Sequence, residues 1–302
     1  MSIIRARGLT KRFGDLVAVA GIDFDIQEGE CFGFLGPNGA GKTSTIRMIY
    51  GASPVTAGEV WVNGKDVRRC PREIKAAVGV VPQENNLDPD LSVIQNLLVY
   101  ARYFSIPGAI ARDRAREVLE LLQLWDRRDS HTESLSSGMK RRLVIARGLI
   151  NQPKVLILDE PTTGLDPQAR HMVWQKLRQL KAQGVTLILT THYMEEASHL
   201  CDRLAILDKG SVLVTGTPSE VISQYVGEEV LELAPRPEGR EAIVSWLEQH
   251  GLETELVEDM IYVFGRDSSG LPQPPGVFDK VVRRRATLED VFLRLTGRAL
   301  RE

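Results

Sequence analysis

A chain of 302 residues can bury a full α/β core with a second, smaller domain beside it. Its formal net charge of -2 excludes a global attraction to nucleic acid or anionic lipid and leaves only local patches for such contacts. Cys31, Cys70 and Cys201 lack metal-ligand spacing and read as free thiols of a reducing cytosol. No apolar run approaches the roughly 18 residues of a membrane span and the amino terminus lacks a signal-peptide pattern, so a membrane process would need another chain to do the crossing.

Strands are predicted over residues 2–9 and 21–26, the second alternating Ile22, Phe24 and Ile26 with Asp23 and Asp25. Between them Phe13 could stack on a purine ring or join the core. Residues 31–35 form a short apolar strand that runs into Gly36-Pro37-Asn38-Gly39-Ala40-Gly41-Lys42-Thr43, which fits G-x-x-x-x-G-K-[ST]. Glycines let a backbone turn sharply round a polyphosphate with successive N–H groups pointing inward. Lys42 would reach the β- and γ-phosphates, the Thr43 hydroxyl would help hold Mg²⁺, and a helix through Ser44 to residue 49 adds the positive end of its dipole. Residues 59–62 followed by Asn63-Gly64 read as a hairpin with a type I′ turn, which suggests an antiparallel sheet flanking the loop.

Residues 78–81 form another strand, ending near Gln83, either a polar group that reaches a metal or water or an exposed loop amide. Three helical patterns come next without intervening strands: Ile94, Leu97, Leu98 and Ala101 behind a Ser92 cap; Val118, Leu121, Leu122 and Trp125; and Leu143, Ala146 and Ile150. They imply a helical insertion in the α/β domain. Ahead of the third stands Leu135-Ser136-Ser137-Gly138-Met139, a helix start that suits an anion or serves as an ordinary cap. Lys140, Arg141 and Arg142 behind it read as a solvated helix face. Residues 155–161 read as a buried parallel strand ending in Asp159 and Glu160, placed to hold Mg²⁺ through water and to act as general base. Asp166-Pro167 opens a helix that Gly184 ends, and the strand over residues 185–191 delivers His192, structural or in reach of a γ-phosphate. After residue 226 the pattern becomes a small α+β appendage: strands at 230–233, 254–257 and 261–264, a helix over 240–250, a loop over 268–276, and a final helix with a Thr287–Asp290 capping box and an apolar face of Leu288, Phe292 and Leu295.

In this order, Phe13, the loop of residues 36–43, Gln83, the run from Leu135 to Met139, Leu158-Asp159-Glu160-Pro161, Thr163-Gly164-Leu165-Asp166 and Thr191-His192 resemble the ATP-binding-cassette ATPases over about residues 2–225. Ser137 stands where that family most often has glycine, and Met139 where it most often has glutamine. Met139 is familiar in the branch that resembles drug, polysaccharide and nodulation-factor exporters, and the runs Leu135 to Arg147 and Asp159 to Asp166 with the ending Thr287-Leu288-Glu289-Asp290-Val291-Phe292-Leu293 look closest to the nodulation-factor export ATPases.

The resemblance implies a RecA-like phosphate-loop α/β core with an antiparallel β subdomain and a helical subdomain over residues 1–227, and an α+β accessory domain over 228–302. It implies that ATP is held by Phe13, residues 36–43 with Ser44, Gln83 and Asp159, with Mg²⁺ at Thr43, Gln83 and Asp159. Glu160, His192 and Lys42 would be catalytic, and Ser136, Ser137, Gly138 and Asp166 would close over ATP held by a second copy in a head-to-tail homodimer. The function expected is ATP hydrolysis on the cytoplasmic face of a membrane, driving export of a lipo-oligosaccharide, polysaccharide or drug through separate integral-membrane permease subunits, with no nucleic-acid partner. The alternatives are a soluble cassette protein not tied to transport and a nucleotide-dependent regulator with little turnover.

Overall fold

The computed structural model describes residues 2–236, 240–250, 252–265 and 278–297. The chain divides into two compact units, Met1–Val212 and Leu213–Glu302.

Two sheets organise the first unit. Strands β1 (Ser2–Phe13), β2 (Leu16–Gln27), β4 (Ala57–Val62) and β5 (Lys65–Asp66) form an antiparallel sheet in the order β2-β1-β4-β5. The expected turn closes its last hairpin, with Asn63 at φ 50° and Gly64 at φ 74°, both positive as a type I′ turn requires. Strands β3 (Cys31–Leu35), β6 (Val78–Val81), β7 (Val155–Asp159), β8 (Thr186–Thr191) and β9 (Arg203–Asp208) pair in parallel in the order β9-β3-β8-β7-β6. β3, β7 and β8 are buried along their whole length, which is why they read as unbroken apolar runs. Phe24 of β2 meets Phe34 of β3 edge to face, with ring centroids 5.1 Å apart, in a core that also takes in α1 (Lys42–Ile49).

Helices α2 (Pro71–Ala77), α3 (Val93–Tyr103), α4 (Gly108–Leu121) and α5 (Ser137–Leu149) fall between β5 and β7. Ser92 and Gln95 form a full capping box on α3. The second helical pattern is corrected: α4 starts at Gly108 and buries Ala111, Ala115 and Leu119, while Trp125 lies in a separate 3-10 turn beyond Gln123, whose φ is 55°. Alanines bring a helix close to its neighbours without the bulky periodicity that pattern reading detects. α6 (Pro167–Ala182) is capped by Asp166 as expected, and α7 (Met194–Leu200) comes after β8.

Strand β10 (Ser211–Gly216) leads into the second unit. There β11 (Glu229–Pro235), β12 (Glu253–Val257), β13 (Met260–Gly265) and β14 (Phe278–Arg285) form an antiparallel sheet in the order β12-β13-β11-β14. Helix α8 (Pro218–Tyr225) precedes it, and α9 (Arg240–Gln249) packs Ile243 and Leu247 against Leu231, Leu233, Ile261 and Val263. Helix α10 (Leu288–Thr296) has the expected capping box but buries Leu288, Val291, Phe292 and Leu293 and leaves Leu295 half-buried. Arg284 holds Asp290 with two parallel bonds of 2.7 Å, fixing the start of α10 to β14. The loop expected over residues 268–276 lies outside the described residues.

Two glycines set how closely α5 approaches the parallel sheet. A Cβ added at Gly79 of β6 would stand 2.1 Å from the carbonyl oxygen of Gly148 on α5. Gly79→Ala is therefore expected to lower stability by about 1–3 kcal/mol, as overpacking against backbone does. A urea-denaturation midpoint equal to that of the parent chain would show that α5 can retreat freely.

Candidate active site

β3 ends at Leu35, and the chain turns at once into the loop of residues 36–43. Side chains are excluded from two of its positions: a Cβ at Gly36 would stand 2.2 Å from the Leu207 carbonyl, and one at Gly41, whose φ is 100°, 2.4 Å from the Ala18 carbonyl. Gly41 is also the N-cap of α1 and offers no side-chain acceptor, so the first-turn N–H groups of α1 are left for an anion. Ala40 is buried and Pro37, Thr43 and Ser44 half-buried, while Asn38 and Gly39 are exposed.

Lys42 is folded inward. Its Nζ donates to the Gly36 carbonyl at 2.8 Å and the Pro37 carbonyl at 3.0 Å and lies 3.7 Å from Glu160 Oε1. Burial pushes the ammonium below the ordinary lysine range, and the neighbouring Glu160 and Asp159 carboxylates pull it back up. Asp159 Oδ1 accepts from Thr43 Oγ1 at 3.0 Å and Thr190 Oγ1 at 2.5 Å. Hydroxyl, carboxylate and amide oxygens of this kind suit Mg²⁺, which takes one or two carboxylates and fills its shell with water and phosphate oxygens.

Glu160 stands one residue beyond β7, 7% exposed, with φ 45°. A left-handed non-glycine residue of this kind costs about 1–3 kcal/mol and persists only where its surroundings hold it. Its N–H donates to the carbonyl and the hydroxyl of Thr190, each at 3.1 Å. Its Oε2 accepts from Gln83 Nε2 and Thr163 Oγ1, both at 3.1 Å. Its Oε1 lies 3.3 Å from His192 Nδ1, yet without hydrogen-bond geometry, so that ring nitrogen is buried and unpaired. An unpaired buried nitrogen beside a carboxylate is a place where a further polar group gains a partner.

Phe13, at the end of β1, carries Lys11 Nζ over one face of its ring, 4.7 Å from the centroid, and is 54% exposed, which leaves the rest of the ring open to solvent. Ser136 caps α5 by accepting from the Met139 N–H at 3.3 Å, which leaves its hydroxyl proton free to donate. Ser136 and Ser137 are exposed. Gly138 is buried instead: a Cβ there would stand 2.9 Å from Ala169 Cβ of α6, so within this chain the glycine lets the starts of α5 and α6 meet. Asp166 is exposed and caps α6 through the Ala169 N–H at 2.9 Å. The structure thus gathers Lys42, Thr43, Gln83, Asp159, Glu160 and His192 into one contact network, and Ser136, Ser137, Gly138 and Asp166 into a second group at two neighbouring helix starts.

Thr190 and Arg141 escape the sequence reading. Thr190 lies inside an apolar strand pattern. Arg141 has the sequence surroundings of a solvated face, but it is 3% exposed, and Arg142 donates to the Leu122 carbonyl at 2.7 Å. The signal available for Arg141 is its place three residues after Gly138, on the same face of the helix.

A phosphate loop at the end of a buried parallel strand, facing a second strand that ends in two carboxylates and a third that ends in histidine, defines an ATP-hydrolysing cassette. The chain belongs to the ABC transporter family, whose model matches residues 19–163. Its curated relatives extend over nearly the whole length. It is 43% identical over 314 residues, 99% of this chain and 95% of the relative, to the Nod factor export ATP-binding protein I of Ralstonia nicotianae. It is 44% identical over 301 residues, 98% of this chain and 97% of the relative, to the protein of the same name from Burkholderia orbicola. Among solved structures it is similar to cbiO1 of Clostridium perfringens, part of the ABC transporter complex cbiONQ, with a TM-score of 0.69 and 30% identity over 74% of this chain and 91% of that one. It is also similar to the dimeric post-hydrolysis state of the ATP-binding cassette MJ0796 bound to ADP and Pi, with a TM-score of 0.64 and 27% identity over 71% of this chain and 98% of that one. The chain is accordingly an ATPase subunit of a transporter, and no helix among its described residues is long and apolar enough to cross a membrane.

Lys42→Ala is expected to abolish ATP binding or turnover while circular dichroism stays that of the parent. Near-normal turnover in that variant contradicts the loop's assignment. Phosphates would add to the pull that raises Lys42 towards its ordinary value, so ATP binding on the alkaline side of neutrality, below the ordinary lysine range, should take up protons. Calorimetry in two buffers of different ionisation heat measures this, and proton release on binding contradicts the sign.

Proposed function

We propose that this chain is the ATP-hydrolysing subunit of an exporter, that it pairs head to tail with a second copy on binding ATP, and that Glu160 activates the attacking water. The observation that carries the reading is the set of groups round the Glu160 carboxylate: Lys42 and His192 at one oxygen, Gln83 and Thr163 at the other. Water held by Glu160 would attack the γ-phosphorus in line as the bond to the β-γ bridging oxygen breaks, with the water's proton going to the Glu160 carboxylate. Lys42 and the loop N–H groups offset charge on the phosphoryl oxygens, and His192 Nδ1 gains the partner it lacks. Phe13 stacks on the adenine, while Ser44 lies beside the phosphates in the first turn of α1. Thr43, Asp159 and Gln83 would hold Mg²⁺, which supplies Lewis-acid polarisation of the phosphates when bound.

Ser136, Ser137, Gly138 and Asp166 would act on the nucleotide of the second copy, a pairing supported by the existence of dimeric cassette structures. The relatives' names, which give Nod factor export, support export as the direction; the cargo class proposed is a lipo-oligosaccharide, polysaccharide or drug. Membrane subunits would carry that cargo, with this chain on their cytoplasmic side. Reconstitution with integral-membrane permease subunits should make ATP turnover respond to cargo of one of these classes.

Glu160→Gln keeps the side chain's size but removes the base, so ATP should bind, stay uncleaved and hold a dimer whose stability rises with ATP concentration by mass action. Size-exclusion chromatography with light scattering, comparing ATP, ADP and no nucleotide, reads the outcome. A variant that binds ATP yet remains a monomer at saturation would falsify self-pairing. Adding Ser137→Asp should undo the dimer, because Ser137 is exposed and a carboxylate there meets the second copy's nucleotide without disturbing Ala169. Ser137→Gly alone should change turnover by roughly tenfold or less, about 1.4 kcal/mol in barrier. Complete loss in a steady-state assay would assign the serine a larger role.

A further inference from the structure

Arg141 on α5 is buried, and every hydrogen bond its guanidinium makes goes to a backbone carbonyl. Nε donates to Pro161 at 2.7 Å, Nη1 to Pro82 at 2.5 Å and Gln83 at 3.1 Å, and Nη2 to Asp159 at 3.0 Å and Glu160 at 3.1 Å. The acceptors belong to the two segments that carry Gln83 and Glu160. Consecutive carbonyls of an extended strand point to opposite sides, so one nitrogen does not reach both. Nη2 reaches those of residues 159 and 160 because Glu160 leaves the strand in the left-handed region. The bond to the Asp159 carbonyl fixes the peptide before the Glu160 Cα, and the bond to the Glu160 carbonyl fixes the peptide after it.

The electrostatic setting suits a clamp. Burial pushes Arg141 down to about 10, which leaves it charged at neutral pH, and Glu196, Asp159 and Glu160 pull the other way. Glu196 is itself buried, its Oε1 held by Thr162 Oγ1 at 2.7 Å and Trp174 Nε1 at 3.1 Å. Counter-charge is therefore close while all five donors stay aimed at neutral carbonyls, a planar fork that lysine does not reproduce.

We infer that Arg141 is a positioning residue for hydrolysis: it locks the left-handed backbone of Glu160 and keeps the Gln83 segment in register with it, so that the Glu160 carboxylate faces Lys42 and His192. This rests on the reading of Glu160 as the base. Because Arg141 sits on the helix that begins at Ser137, the same clamp ties the start of α5 to that carboxylate.

The test compares Arg141→Met, which keeps the packing stem without donors, and Arg141→Lys, which keeps charge and part of the hydrogen bonding. ATP affinity measured with a fluorescent analogue, and KM, should stay within about threefold of the parent in both, while kcat falls roughly thirtyfold or more in Arg141→Met and less in Arg141→Lys. In a Glu160→Gln background, Arg141→Met should lower the residual turnover by no more than about twofold, since a residue that acts through Glu160 has nothing left to position. A folded Arg141→Met with parental kcat overturns the inference, as does a full thirtyfold loss in the Glu160→Gln background. Should Arg141→Met fail to fold, Arg141→Lys decides: reduced kcat at constant KM supports the role, and unchanged kcat overturns it. Parental turnover in Glu160→Gln by itself would instead remove the base assignment.

Discussion

Parallel pairing of β3, β8 and β7 in matched register is the constraint on which the site depends. Leu35 pairs with Thr191 and Asp159 with Thr190, so three strands finish at one edge of the sheet within a residue of each other. The segments leaving those strand ends are thereby forced into the same space: the phosphate loop after β3, Glu160 after β7 and His192 after β8. No long-range search by flexible side chains is needed, because main-chain hydrogen bonds set the spacing before any functional group is placed. The adjacent strand β6 adds Gln83 by the same rule, since Val81 pairs with Leu158.

Within that frame the electrostatics are closely balanced. Two buried carboxylates, Asp159 and Glu160, face one buried ammonium, while a buried guanidinium stands behind them on α5. Lys42 and Glu160 pair with each other, Asp159 takes the neutral hydroxyls of Thr43 and Thr190, and Arg141 takes neutral backbone carbonyls, so little is left for bulk water to solvate. In the proposed mode of binding, arriving nucleotide would bring its own negative charge to Lys42, which would exchange the carbonyls of Gly36 and Pro37 for phosphate oxygens.

Much of this is legible in the sequence because the relevant signals are local. Loop glycines at fixed spacing, Asn63-Gly64 and the caps at Ser92 and Thr287 each depend on residues within a few positions of one another. The features that escape such reading depend on pairs of distant elements. The burial of Arg141 is set by where the ends of β6 and β7 lie, the need for Gly138 comes from Ala169, and the alanine face of α4 carries no apolar bulk to count. β14 is hidden for a related reason: its run of Lys280, Arg283, Arg284 and Arg285 looks like solvated chain until Glu232, Glu229 and Asp290 supply partners.

The backbone of Glu160 has a consequence for any attempt to improve the protein. Glycine and asparagine are the residues that accept its left-handed conformation most easily, and neither can take a proton from water at neutral pH. Foldability and chemistry therefore ask for different residues at one position, and the chain keeps the less comfortable one. A redesign guided by stability alone, or a consensus drawn from backbone preference, would select against glutamate here first and, on the proposed role of Glu160 as base, return a sturdier protein with no means of cleaving ATP.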